Sequence, residues 1–361
     1  MSTKDKKNLN KLMSYSEAIC AAQAHCLKKF KNCYVMGLGV PDPKGVFGTT
    51  KGLQKKFGSS RVFDIPLSEN AITGIAIGSA ISGMRPILTH QRLDFALLSV
   101  EQLVNQAAKW HYMFGGKMSV PLVIRLIIGR GWGQGPQHSQ ALHAWFAHIP
   151  GLKVVMPATP SDAKGMLISA VEDDNPVIFF EHRWLHSLRD KVPVKGYKTP
   201  LDKGNILSKG ADITLIGLSY MTVECYKASR ILLKLGISAE VLDLRSVRPL
   251  DKNVILKSVK KTGKVIIVDH ANLMFGVSAE ISSIISENLK NHLSATPVRI
   301  GLPEHPSPTS PRLSRDFYPT SKEIVMRALN LLGIEQFNLS QELFGDRTHL
   351  DQPDANFQGP F

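Results

Sequence analysis

Residues 61–89 read RVFDIPLSENAITGIAIGSAISGMRPILT. Arg61 to Asp64 is a short apolar run with strand character, and Pro66 keeps the chain extended behind it, because proline fixes φ and bars the preceding residue from the helical region. From Glu69 to Ser82 the pattern changes to small and branched apolar residues over a helix-sized span. Glu69 falls in the first turn, where a carboxylate complements the helix dipole. Gly74 and Gly78 leave room for close approach of another backbone. Pro86 to Thr89 is a second strand-like run. Strand, helix and strand in so short a stretch are the signature of a parallel sheet flanked by helices.

The same alternation extends outward from residue 14 to about 185. Strands are expected at Cys33 to Met36, Leu122 to Leu126, Lys153 to Met156 and Val177 to Glu181, with helices at Val100 to Phe114 and at Ser161 to Val171, behind the cap signal Thr159-Pro160. Lys191 to Gly210 is polar, contains glycine and proline, and reads as a linker. The alternation then restarts with strands at Ile213 to Gly217, Ala239 to Leu244, Lys264 to Asp269 and Pro297 to Ile300. Met221, Cys225, Ala228, Leu232 and Leu235 form one helical stripe ending at Gly236, and a further helix is expected over Val277 to Leu289. The prolines of PEHPSPTSP after Leu302 exclude helix and central strand. A short helix at Ser321 to Leu332 precedes a polar tail. The expected organisation is a tail (1–13), a first α/β domain (14–190), a linker (191–210), a second α/β domain (211–335) and a C-terminal tail (336–361).

With 361 residues, 43% of them hydrophobic and 20% charged, the chain is long enough for two buried cores and far from disordered compositions. No run approaches the roughly 18 to 20 apolar residues of a membrane span, and MSTKDKKNLNKLM lacks the apolar centre of a signal peptide, so a cytoplasmic location is expected. Cys20, Cys26, Cys33 and Cys225 lack the spacing of a metal knuckle and the density of a disulfide scaffold, and read as reduced thiols. The net charge of +14 comes from lysines dispersed without interleaved aromatics. That pattern suits solvated helix faces better than nucleic-acid binding.

Two constellations could carry chemistry. Glu69 is the first, although a dipole-complementing role explains it on local grounds alone. The second is the glycine-rich loop Gly129 to Pro136 with Gln137-His138-Ser139-Gln140 behind it. That loop lacks the G-K-[ST] of a phosphate loop and the G-x-G-x-x-G pattern, which leaves a loop delivering a polar cluster or a plain solvent loop. His138, His143 and His148 recur every five residues, about 140° apart on a helix, and do not converge on a metal. His182 and His186 are spaced for one helix face but follow a strand end, and read as a surface pair.

In order along the chain stand Lys51-Gly52-Leu53 with Lys56-Phe57-Gly58, Pro66-Leu67-Ser68-Glu69, Gly83-Met84-Arg85-Pro86, Gln137-His138-Ser139-Gln140, Pro150-Gly151-Leu152-Lys153-Val154-Val155, Asp162-Ala163-Lys164-Gly165 and Leu244-Arg245-Ser246-Val247-Arg248-Pro249-Leu250. In these runs, from about Tyr15 to Leu332, the chain resembles the β chain of the decarboxylating component of 2-oxo acid dehydrogenase complexes, of the pyruvate dehydrogenase type. The resemblance implies two three-layer αβα domains, a transketolase-like pyrimidine-binding domain and a transketolase C-terminal domain. It implies thiamine diphosphate as cofactor, with Glu69 sharing a proton with N1′ of the aminopyrimidine and so favouring the tautomer that deprotonates the thiazolium. His138 takes the family's active-site histidine position, near the reacting carbonyl. Phe95 and Gln91 match cofactor-facing positions. Leu122, Ala170, Val171, Asp173 and Asn175 match a structural potassium site built mostly of carbonyl oxygens.

The chain departs from the family pattern in three places. Leu38 stands at a cofactor-facing position where many members carry an acid, Arg92-Leu93 replaces an aromatic and would add positive charge to the substrate pocket, and His182-Arg183-Trp184 is unusual. The family's G-D-G…N element, which binds Mg²⁺ and pyrophosphate, is nowhere in the sequence. The resemblance therefore implies an α chain supplying it, in an α₂β₂ assembly that takes a small 2-oxo acid and passes the acyl group to a lipoyl acyltransferase component. Two other readings stay open: thiamine-dependent carbon–carbon ligation or transfer in a specialised pathway, and a non-catalytic assembly chain.

Overall fold

The structure, a computed structural model, describes residues 10–129 and 133–334. The chain divides into two compact units, one of residues 10–129 and 145–201, the other of residues 133–144 and 202–334.

Strands of the first unit are β1 (Asn10–Ser14), β2 (Cys33–Gly37), β3 (Val62–Phe63), β4 (Arg85–His90), β5 (Val123–Ile128), β6 (Lys153–Val155), β7 (Val177–His182) and β8 (Arg189–Pro193). Its main sheet runs β6-β7-β5-β4-β2-β3, with every neighbouring pair parallel. All residues of β2, β5 and β7 are buried, as in strands covered on both faces. The helix Tyr15–Lys29 packs on Pro160–Glu172, while Glu69–Ile81 packs on the segment 97–107. Pro160–Glu172, from β6 to β7, and Glu69–Ile81, from β3 to β4, belong to crossovers running in opposite directions across the sheet, and right-handed crossovers place such helices on opposite faces. The N-terminal helix carries a capping box, with Glu17 N donating to Ser14 Oγ at 3.1 Å and Ser14 N donating to Glu17 Oε2 at 2.7 Å.

Strand β2 connects to β3 on one side, and the next crossover returns past β2 to β4 on its other side. The carboxyl ends of β2 and β4 therefore flank a switch point, the place in an open parallel sheet where ligands bind. Leu38 follows β2 and Gln91 follows β4.

The second unit contains β9 (Asn205–Ser208), β10 (Ile213–Gly217), β11 (Ala239–Asp243), β12 (Ser246–Arg248), β13 (Val265–Asn272) and β14 (Val298–Leu302). Its sheet runs β14-β13-β10-β11-β9, parallel except at the β9 edge. Tyr220–Lys234 packs on Ser321–Leu331, and Lys252–Thr262 on Val277–Leu289. Met221, Cys225, Ala228 and Leu232 are buried as the stripe predicts. Lys252, Lys257, Lys260 and Lys261 line the exposed face of their helix, where Lys261 pairs with Glu240.

Some elements differ from expectation. Strand β1 and β9 fall inside the expected tail and linker, as does most of β8, and β1 pairs antiparallel with β8 at the two ends of the first unit's sequence. The helix expected over Val100 to Phe114 is broken into a wide π-type segment, Gln102–Ala107, and the helix Ala108–Met113. There Gln102 Nε2 donates to Asn70 Oδ1 at 2.9 Å and to Glu101 Oε2 at 2.7 Å, side-chain bonds to which hydrophobic periodicity is blind. Among the described residues all four cysteines are free. Burial pushes the thiols of Cys26 and Cys225 up and that of Cys33 up to about 12, which makes them poor nucleophiles.

The core of the first unit holds an ion pair. Arg125 grips Glu181 through Nε at 2.6 Å and Nη2 at 2.9 Å, with both side chains at 0% exposure. Its Nη1 donates to Gln23 Oε1 at 3.2 Å and Thr89 Oγ1 at 3.1 Å, and His186 Nε2 lies 3.3 Å from Glu181 Oε2. Burial pushes the Glu181 carboxyl up, but Arg125 and His186 overcome it and hold the group down at about 2. The surface reading of His182 and His186 is thereby corrected, since both are buried. His182 ends the doubly covered β7, and the turn Arg183–Leu185 folds His186 back onto Glu181.

Burial also lowers His90 and His186 to about 4 and His270 to about 3. An unfolded histidine titrates near 6.5, so between about 6.5 and 4 the unfolded chain binds protons that the folded chain refuses. Stability therefore falls as the pH drops through that window. Urea unfolding at pH 7 and pH 5 is expected to show the loss, and His270→Phe is expected to reduce the difference.

Candidate cofactor and active site

Glu69 opens the helix Glu69–Ile81. Its neighbour Ser68 makes no side-chain cap and instead donates its backbone N–H to Pro66 O at 2.9 Å. The first turn thus presents uncapped N–H groups beside a partly buried carboxylate that, among the described residues, has no hydrogen-bond or ion-pair partner. Leu67, two residues before it, is 77% exposed, whereas Ile72, Thr73 and Ala76, which follow Glu69 on the same side of the helix, are buried. A Cβ at Gly74 would lie 3.3 Å from Gln102 Oε1, so Gly74 packs within the chain, whereas Gly78 meets nothing within 4 Å and remains open to another backbone.

Leu38 and Gln91 meet at the switch point, where Gln91 Nε2 donates to Leu38 O at 2.9 Å. The turn after Leu38 needs glycine: Gly39 has φ +72°, and a Cβ there would lie 2.9 Å from Gln91 Nε2. Gly39 N and Ile65 N both donate to Asp64 Oδ1, at 3.0 and 2.9 Å. Asp64 is a member of this edge that sequence reasoning passed over. The signal for it was its place at the end of the extended segment leading to Glu69. Phe95 sits in the short helix Leu93–Ala96 immediately beyond β4, partly buried. The carboxyl edge of the first sheet thus gathers Leu38, Asp64 and Gln91, with Phe95 just beyond.

Arg92 does not enrich an open pocket in positive charge. It is 2% exposed, donates through Nη1 to Gly129 O at 2.8 Å, and faces the Phe47 ring at 5.6 Å, a ring that Arg183 also faces at 4.5 Å. The guanidinium braces the end of β4 against the end of β5. Burial lowers Arg183 to about 10.

His138 lies in the second unit, at the end of the turn Pro136–His138, and is partly exposed. Arg130, Gly131 and Trp132 of its glycine-rich loop lie outside the described residues. Of the other two histidines in the series, His143 is buried against Asp269 and His148 is exposed in the first unit. Among the described residues no cluster of His, Cys, Asp or Glu suits a metal ion.

Oxygens of the expected potassium site are partly engaged already. Arg85 Nη1 donates to Val171 O at 2.9 Å and Asp173 O at 3.2 Å, and Leu122 O accepts from Val177 N at 2.9 Å. Asp173 Oδ1 accepts from Asn175 N and Nδ2, and its carboxylate pairs with Lys153. Ala170 and Val171 lie in the last turn of Pro160–Glu172, where carbonyl oxygens and the dipole favour cations. Each bonded carbonyl keeps a second lone pair, while Arg85 and Lys153 already bring positive charge to this donor set.

The chain as a whole is similar to known proteins. The transketolase pyrimidine-binding domain family matches residues 11–187 and the transketolase C-terminal domain family residues 202–324. The chain is 38% identical over 340 residues to the acetoin:2,6-dichlorophenolindophenol oxidoreductase subunit beta of Bacillus subtilis, covering 91% of this chain and 99% of that protein. Identity to the same-named subunit of Cupriavidus necator is 43% over 284 residues, covering 79% and 84%. The pyruvate dehydrogenase E1 component subunit beta of Porphyra purpurea is 40% identical over 316 residues, covering 88% and 96%. A split-gene transketolase, solved as an inactive β4 tetramer, superposes with a TM-score of 0.73 at 19% identity, covering 91% of this chain and 100% of that one, a likeness of fold. From sequence and fold together, the chain belongs to the β-subunit family of pyruvate and other 2-oxo acid dehydrogenase components, in which a transketolase pyrimidine-binding domain precedes a transketolase C-terminal domain.

Proposed function

We propose that this chain is the β chain of a thiamine-diphosphate-dependent 2-oxo acid dehydrogenase, which decarboxylates a 2-oxo acid such as pyruvate and passes the acyl group to a lipoyl acceptor. The observation that carries the reading is the Glu69 carboxylate at an uncapped helix start, without a hydrogen-bond or ion-pair partner among the described residues and preceded by the exposed Leu67. Thiamine diphosphate, when bound, supplies the electron sink that decarboxylation of a 2-oxo acid requires. Glu69 holds and exchanges a proton at N1′ of the aminopyrimidine. Leu38, Gln91 and Phe95 border the ring, and Gln91 holds the Leu38 carbonyl in place. His138 orients or protonates the substrate or the incoming acceptor.

An α chain brings the Mg²⁺ and pyrophosphate site, in an α₂β₂ heterotetramer, and a structural potassium rests on Leu122, Ala170, Val171, Asp173 and Asn175. No described helix is long and apolar enough to cross a membrane, in keeping with a cytoplasmic enzyme. The ligation and non-catalytic alternatives draw no support from relatives named as dehydrogenase and oxidoreductase subunits.

The test is reconstitution with the α chain and assay against pyruvate, branched 2-oxo acids and acetoin, each with a dye and with a lipoyl domain as acceptor. The expected result is CO₂ release from a 2-oxo acid with acylation of the lipoyl domain. Turnover of acetoin alone, or decarboxylation that never acylates lipoyl, contradicts it.

A further inference from the structure

His138 is bracketed in sequence by two anchors, both on the second unit. Three residues before it, Gly135 (φ +71°) lies so close to Thr309 that an added Cβ would sit 2.6 Å from its Oγ1. Five residues after it, His143 is 0% exposed and places Nε2 3.1 Å from Asp269 Oδ2. An ionised carboxylate only accepts, so His143 Nε2 is the donor. Asp269 is itself buried in β13, where a carboxylate requires a hydrogen-bond partner. The next residue, His270, stacks on Tyr318 at 5.0 Å, and Tyr318 Oη lies 2.9 Å from Ser307 Oγ. Ser307 and Thr309 share one proline-rich segment, so both anchors rest on a single wall made of the end of β13 and residues 303–311.

We infer that His143 and Asp269 are positioning residues which, with the Gly135–Thr309 contact, hold His138 in register for the reaction proposed above, on which this inference rests. Neither is assigned a contact with substrate. A positioned group loses effectiveness steeply with displacement, about 10²-fold for roughly 1 Å, so freeing one end of the loop acts on turnover through His138.

The experiment is a double-mutant cycle in the α/β assembly, together with amide hydrogen exchange over residues 133–142. His143→Ala is expected to lower kcat by about 10- to 100-fold, with KM for the 2-oxo acid changed less than about twofold, and to speed exchange in the loop. His143→Gln, whose amide still donates to Asp269, is expected to restore most of both. In a His138→Ala background, His143→Ala is expected to cost nothing further, because the group it positions is gone. An equal loss in both backgrounds overturns the inference, as does unchanged exchange in His143→Ala. Should the wild-type assembly fail to turn over any 2-oxo acid, the functional reading falls, and exchange in the three variants still decides whether the anchor exists.

Discussion

Glu69→Gln is expected to lower turnover of the reconstituted assembly by about 10²-fold or more while leaving its thermal midpoint nearly unchanged. The amide matches the carboxylate in shape and still bonds to a ring nitrogen, but it cannot exchange a proton there. The dipole reading makes the opposite forecast. A first-turn carboxylate is worth about 0.3–1 kcal/mol to a helix and nothing to turnover. Among the described residues Glu69 has no partner whose loss would destabilise the fold, so the two roles separate cleanly. Steady-state kinetics beside a melting curve checks the forecast: full activity with a slightly lowered midpoint would return Glu69 to a helix-start role.

The second large effect is on stability. Removing one member of the Arg125–Glu181 pair leaves the other charge buried without compensation, and Glu181→Ala is expected to cost about 3–5 kcal/mol. Urea unfolding measures it. The double variant Arg125→Met, Glu181→Leu is expected to recover most of the loss, because apolar residues avoid the desolvation cost, although Gln23 and Thr89 lose a donor. The sign with pH follows from the depressed carboxyl. Its folded value of about 2 lies below an unfolded value near 4.3, so its contribution is full above that value and is lost as pH falls toward 2. In Glu181→Ala the part of the acid loss below about pH 4.3 is expected to shrink.

Much of the fold was legible in the sequence because its elements obey simple periods. The mostly apolar β5, β7 and β10 and the Met221-to-Leu232 stripe announce themselves, and the strand–helix–strand reading of residues 61–89 holds apart from shortening of the first strand to Val62–Phe63. What stayed hidden depends on partners distant in sequence. Arg125 and Glu181 read as polar interruptions of apolar strands, and only the pairing of β5 with β7 shows that they neutralise one another. His186 looked like a surface residue because nothing local reveals that a turn returns it to Glu181.

Parts of the candidate site were legible in the same uneven way. Glu69, Leu38 and Gln91 lie at element boundaries that the pattern exposes, and the strand order adds that two of them share a switch point. Arg92 looked like pocket charge, whereas the carbonyl that claims it follows a different strand. His138 occupies the middle of the first domain's sequence, yet it folds with the second unit through Thr309 and Asp269, contacts that no local signal could reveal.

In the proposed function this chain holds one half of a thiamine diphosphate site, activating a cofactor whose opposite end another chain binds. Titrating thiamine diphosphate with Mg²⁺ into the chain alone, the α chain alone and the assembled pair, with binding read by calorimetry, tests it most directly. Saturable binding is expected in the assembled pair, weakened there by Glu69→Ala, and none in this chain by itself. Tight binding by the isolated chain, or an assembled pair that binds no thiamine diphosphate, would contradict it.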